Sequence, residues 1–166
     1  MPVDTDTRAA PQDLSTLPES VVVPLRLGRR AATAGRRVHM PKGPLGFPDH
    51  HNFALADLPD PELAQFKLLR SLEDRELVLI VTPIPRNSTH IADEDLAEIA
   101  GTVGISVEDA VFLLVVTVRP KPDDDGLAMS INLRAPIVLD PATRLARQCV
   151  VRNPRYRVQQ PFSGWI

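Results

Sequence analysis

Two runs constrain the fold of this chain more than anything else in its sequence. Residues 77–81 (LVLIV) and 111–118 (VFLLVVTV) are apolar at consecutive positions and rich in β-branched side chains. A run apolar on both faces, too short for a helix core and bounded by Pro, Arg or Asp, reads as a central strand covered on both sides. Further strand-like runs occupy 66–72, 110–119, 128–133, 137–139, 145–151 and 156–159, most of them short and ending at Pro, Gly or Asp. Residues 145–152 (LARQCVVR) alternate and should face solvent on one side. Many short strands separated by turn signals predict an all-β, mainly antiparallel domain, either a sandwich or a small, partly closed barrel.

One helix is expected near 93–100. Leu96, Ile99, Ala100 and Val103 recur at helical spacing behind Asp93, Glu94 and Asp95, whose charge suits a helix N-terminus, and Gly101 or Gly104 ends it. Ser106 to Asp109 matches a capping box formally, but the β-branched run after it favours a turn into a strand.

Residues 1–19 contain three prolines and no apolar periodicity, so they read as a disordered arm. Residues 20–28 (SVVVPLRLG) place Val21, Val23, Leu25 and Leu27 on one face of a half-buried strand, at a sheet edge because Pro24 donates no ladder hydrogen bond. Residues 28–37 (GRRAATAGRR) read as a solvated hairpin loop. The alternative, a basic patch for RNA or an acidic partner, lacks the interleaved aromatics that stack bases. The main β domain thus spans 20–162, followed by a tail at 163–166.

At 166 residues the chain fits one domain, and 43% hydrophobic content suffices for one core. Its single cysteine, Cys149, closes no intramolecular disulfide and reads as a small buried apolar residue. The polar N-terminus lacks a secretory signal, and the longest apolar run is far short of the ~20 residues a membrane helix needs. A cytoplasmic protein that does not engage membranes is therefore expected. Residues 1–38 hold four acidic and six basic residues, leaving seventeen acidic against thirteen basic in the remainder. A mildly acidic domain argues against direct nucleic-acid binding and suits a basic protein partner.

Catalytic signatures are missing. His39, His50, His51 and His90 lack metal-ligand spacing, and there is no nucleophile elbow, Walker loop or dinucleotide loop. Asp123 to Asp125 lack the spaced ligands of a calcium loop and read as a solvated turn. The expectation is a non-catalytic protein without cofactor or metal. The tail is unusual, since Phe162, Trp165 and Ile166 lie beyond the last strand in a chain with seven aromatics. It either docks on a partner or folds back over an open edge of its own core.

Four ordered segments carry a resemblance. They are VHMPKGPLGF (38–47), FKLLRSLEDRELVLIVTP (66–83), SINLRAPIVLD (130–140) and RLARQCVVRNPRYRVQQPF (144–162), the last containing Gln148 and Tyr156. Together they are similar to the flagellar assembly factor FliW family, with the NLRAPI box the most specific. The stretch TPIPRNSTHIADED departs from the aromatic and Tyr-Glu element common in that family. The resemblance implies a β-barrel-like monomer that binds flagellin and, in a competing complex, the RNA-binding translational repressor CsrA. The alternative is an assembly chaperone for flagellin alone. Candidate partner-binding residues lie at the ends of the family-like boxes: Leu45, Phe47, Asn132, Arg134 and Tyr156. Asn132 and Arg134 point away from Leu133 and either hold a turn or meet a partner.

Overall fold

The structure, a computed structural model, describes residues 36–165. The disordered arm expected over 1–19 and the strand expected over 20–28 lie outside the described residues. Nine strands follow: β1 Arg36–His39, β2 Asn52–Asp57, β3 Lys67–Ser71, β4 Val78–Pro83, β5 Val111–Pro120, β6 Leu127–Ile131, β7 Ile137–Leu139, β8 Ala146–Gln148 and β9 Gln160–Phe162. Among the described residues a single α-helix, α1, spans Asp93–Val103 between β4 and β5. Neighbouring strands pair antiparallel in the order β1-β2-β3-β4-β5-β6-β9, while β7 pairs with β5 and β8. The far side closes through a lone parallel bridge, His39 to Leu145, where the His39 N–H donates to the Arg144 carbonyl at 2.9 Å. The result is a nearly closed barrel, all-β apart from the helix.

The doubly apolar runs explain the layering. Leu69, Leu79, Val81, Leu113, Val115, Ile137 and Leu139 point into the barrel with Val38, Met40 and Phe53. Their chain neighbours Leu68, Ile80, Phe112, Leu114 and Val116 point outward into a second core. Leu96, Ile99 and Ala100 of α1 cover that outer core, together with Ile131, Leu133, Val151, Tyr156 and Phe162. Each large apolar side chain so buried contributes about 1.5–3 kcal/mol, which is why β3, β4 and β5 alternate between two cores instead of between core and water.

Strand β5 belongs to both layers. Its first residues pair with β7, Val111 opposite Leu139 and Leu113 opposite Ile137, whereas Val116 to Pro120 pair with β6. The chain passes from β6 to β7 along one edge of β5 through 132–136. Asn132 Oδ1 accepts the N–H groups of Arg134 and Ala135 at 3.0 and 3.1 Å there, and Pro136 comes just before β7.

Several expectations shift. Arg36 and Arg37, read as loop, open β1, because the register with Leu55 and Ala54 extends the hairpin back to them. Strand β2 is not among the expected runs, because its Asn, Ala and Asp dilute the apolar signal of Phe53 and Leu55. The run 156–159 is not a strand; Tyr156 is drawn toward α1 and pairing begins at Gln160. Strand β8 is shorter than 145–151, because β7 offers partners only to Ala146–Gln148, and beyond them the Cys149 and Val151 N–H groups bond to the Pro136 and Arg134 carbonyls of the β6–β7 turn. The helix runs on to Val103 and Gly104 terminates it, with φ at 79°. Residues 106–110 form a turn into β5, Asp109 and Ala110 N–H groups donating to the Ser106 carbonyl at 3.1 Å each.

Candidate partner-binding surface

Three of the four family-like boxes meet at Gln148. Its buried carboxamide accepts the Leu45 N–H at 2.8 Å and donates from Nε2 to the Ala135 carbonyl at 2.9 Å. One side chain therefore fastens the β1–β2 loop at Leu45 to the β6–β7 turn at Ala135, 90 positions further along the sequence. That loop is compact because Gly43 adopts φ +64°; a Cβ there would lie 2.1 Å from the Phe47 carbonyl oxygen. The geometry leaves Leu45 exposed at 46%, while Phe47 leans on the barrel core and stacks edge-on against His50.

The SLED box fixes the other side of the loop. Ser71 Oγ accepts the N–H groups of Glu73 and Asp74 at 3.2 and 3.1 Å. Glu73 in turn accepts the His51 N–H at 2.9 Å and the Asn52 Nδ2–H at 2.8 Å. These hydrogen bonds hold the Glu73 carboxyl below the usual glutamate range, the His51 N–H first among them.

From the β6–β7 turn the contacts run on to α1. Arg134 donates to the Pro154 carbonyl at 3.4 Å, and the Val151 N–H reaches the Arg134 carbonyl at 2.8 Å. Next in line, the buried Tyr156 hydroxyl accepts the Ala92 N–H at 3.0 Å and Arg155 Nη2–H at 2.7 Å, and donates to Asp95. Arg155 also pairs with Asp95 at 3.5 Å, and Arg152 pairs with Glu98 at 3.4 Å. Two of the helix carboxylates are thus matched by arginines of the same chain.

The five sequence-derived candidates accordingly fall along one path, Leu45 and Phe47 at one end, Asn132 and Arg134 in the middle, Tyr156 at the other. Their engagement differs. The Tyr156 ring is buried and its hydroxyl fully used, and the Asn132 carboxamide caps its turn, whereas Leu45 and the Arg134 guanidinium reach solvent. Sequence reasoning noted Gln148 only by its resemblance; a lone glutamine in an alternating run carries no signal of bridging two distant loops. Among the described residues no three His, Cys, Asp or Glu side chains converge to hold a metal ion. His39 and His51 approach to 6.5 Å between ring centroids, but their Nδ1 atoms face Asn52 Oδ1 and the Met40 carbonyl.

Comparison with known proteins decides the family. A profile described as FliW protein matches residues 24–162. The chain belongs to the FliW family. The flagellar assembly factor FliW of Geotalea uraniireducens is 33% identical over 143 residues, covering 85% of this chain and 83% of that protein. Its counterpart in Symbiobacterium thermophilum is 31% identical over 128 residues, covering 75% of this chain and 88% of that protein. A solved structure, the crystal structure of the flagellar assembly factor FliW, superposes with a TM-score of 0.55 at 20% identity, covering 86% of this chain and 93% of that one. These relatives are flagellar assembly factors, and in this chain the family-like boxes are spent on hydrogen bonds that join loops. Among the described residues no helix is long and apolar enough to cross a membrane.

Proposed function

We propose that this FliW-family chain binds flagellin and, in a competing complex, the translational repressor CsrA, so that flagellin supply sets how much repressor is free. The observation that carries the reading is membership of the family across residues 24–162, which spans all four boxes, three of them joined through Gln148. The physical support is a surface in which a rigid frame presents a few side chains to solvent. Gln148, Gly43 and Glu73 fix the loops and leave Leu45 as an exposed apolar anchor, while the half-buried Arg134 on the β6–β7 turn supplies a cation of the kind that dominates binding energy.

A second reading, a chaperone that takes flagellin alone, gains from the charge pairing on α1. Arg152 and Arg155 offset Glu98 and Asp95, lowering the negative potential available to a basic repressor. Isothermal titration separates the two. Partner switching requires saturable binding of flagellin and of CsrA, each abolished by prior saturation with the other; the chaperone reading requires flagellin binding only. Absence of both would overturn both readings. Leu45→Asp is expected to weaken flagellin binding at least about tenfold without lowering the melting temperature, since truncating an anchor costs about 1–2 kcal/mol or more in binding.

A further inference from the structure

The C-terminal turn occupies a notch shaped by distant parts of the chain. The Trp165 main-chain N–H donates to Gln65 Oε1 at 2.8 Å, and its indole Nε1–H donates to Thr82 Oγ1 at 2.6 Å. The Thr82 hydroxyl is fully buried and donates to the Gln65 carbonyl at 2.9 Å, so its lone pairs are aimed at the indole. Ring edges complete the notch, His90 at 5.1 Å and Phe162 at 4.9 Å from the Trp165 ring. Gly164 enters at φ +112°, with the Gln65 amide 3.1 Å from where a Cβ would sit. Glycine followed by tryptophan is what this geometry requires.

Three features distinguish the notch from ordinary core. The family match ends at residue 162, before Gly164 and Trp165. The indole is only half-buried. Its tether consists of Ser163 and Gly164 alone, so it lifts without breaking a pair of β6 and β9. Both donors it supplies, a main-chain N–H and an aromatic N–H, are equally available from a separate peptide.

We propose that the notch formed by Gln65, Thr82, His90 and Phe162 is a docking site for an extended Gly-Trp peptide segment, kept occupied in cis by the chain's own terminus. The covalent tether gives that terminus an effective concentration in the millimolar range, so the tail acts as an internal competitor against a partner segment of the same chemistry.

The test uses full-length chain carrying Trp165→Ala, in which the notch is vacated, titrated with acetyl-Ser-Gly-Trp-amide. Backbone amide NMR shifts at Gln65, Thr82 and His90 should move saturably, and the unsubstituted chain should show no movement at the same peptide concentration. Thr82→Val added to the variant should weaken the peptide about fivefold, the usual effect of losing one hydrogen bond. Replacing tryptophan with alanine in the peptide should abolish the shifts. No saturable shift in a variant that keeps a dispersed native spectrum would overturn the proposal, as would equal shifts in the unsubstituted chain. Trp165 is the sole tryptophan, which provides a second readout should that variant unfold. Gly164→Ala should move its emission to longer wavelength as the tail detaches. Emission unchanged by that substitution, or dependent on protein dilution as for docking onto a second copy, would also overturn it.

Discussion

A methyl group added at position 43 would sit on the Phe47 carbonyl oxygen, 2.1 Å away, in a backbone conformation that L side chains rarely adopt. Gly43→Ala should therefore cost about 2–4 kcal/mol, read by urea denaturation, and should loosen the Leu45 to Gln148 link with it. Cys149 offers a contrasting test. Burial pushes its thiol above the ordinary cysteine range, so the thiolate that reacts with alkylating reagents is scarce in the folded protein. Labelling by an aromatic disulfide reagent at neutral pH should be slow until denaturant is added. Glu73 sets a pH dependence whose sign follows from its lowered folded-state pKa. The stability that it contributes is complete above the usual glutamate range and is lost as pH falls through the folded value. Glu73→Gln should flatten the acid side of the stability profile and leave neutral pH the less stable of the two only slightly, because the carboxylate is exposed.

At the level of elements, α1 starts without a side-chain cap. Ala92 occupies the N-cap position, its N–H taken by the Tyr156 hydroxyl; its carbonyl accepts the Asp95 and Leu96 N–H groups at 3.0 Å each, but it has no side chain to accept another. Ala92→Ser should add about 0.5–1 kcal/mol, measurable as a rise in melting temperature. The helix itself was legible because Leu96, Ile99 and Ala100 repeat at its own period, and β3, β4 and β5 were legible because two buried faces leave a run with no polar interruption. Strand β2 was not, since Ala54 and Ala56 meet their neighbours with small side chains and Asn52 and Asp57 flank them. The tail's docking was open between two readings for a related reason. Whether Trp165 turns outward or inward is decided by Thr82 and Gln65, and neither residue announces from 83 or 100 positions away that it awaits a tryptophan. Gln148 and Tyr156 illustrate the same limit at the candidate surface: their positions could be marked by resemblance, but the loops they join are set by tertiary register.

Across the whole molecule, β5 is the shared wall of both cores, pairing with β4 on one edge and with β7 and β6 in succession on the other. Amides of Leu113 to Val116 should exchange most slowly in native-state hydrogen exchange, since opening them requires both layers to come apart, while those of β9, paired on one edge only, should exchange sooner. Two layers joined through one strand also favour a single cooperative transition, so exposure of the buried Cys149 thiol in the outer core and far-ultraviolet circular dichroism should report coincident unfolding.

The bridge between His39 and Leu145 bears on how the protein comes into being. Those two residues are 106 positions apart, so on a ribosome adding about 5–20 residues per second the first waits roughly 5–20 s for the second. Throughout that interval β1 to β4 can form hairpins but cannot enclose their inner row, and Phe53, Leu69 and Leu79 stay open to water or to whatever nascent-chain binder is at hand. Closure thus waits until β1 to β7 have been made, and β8 and β9 have still to join β7 and β6 when Leu145 emerges.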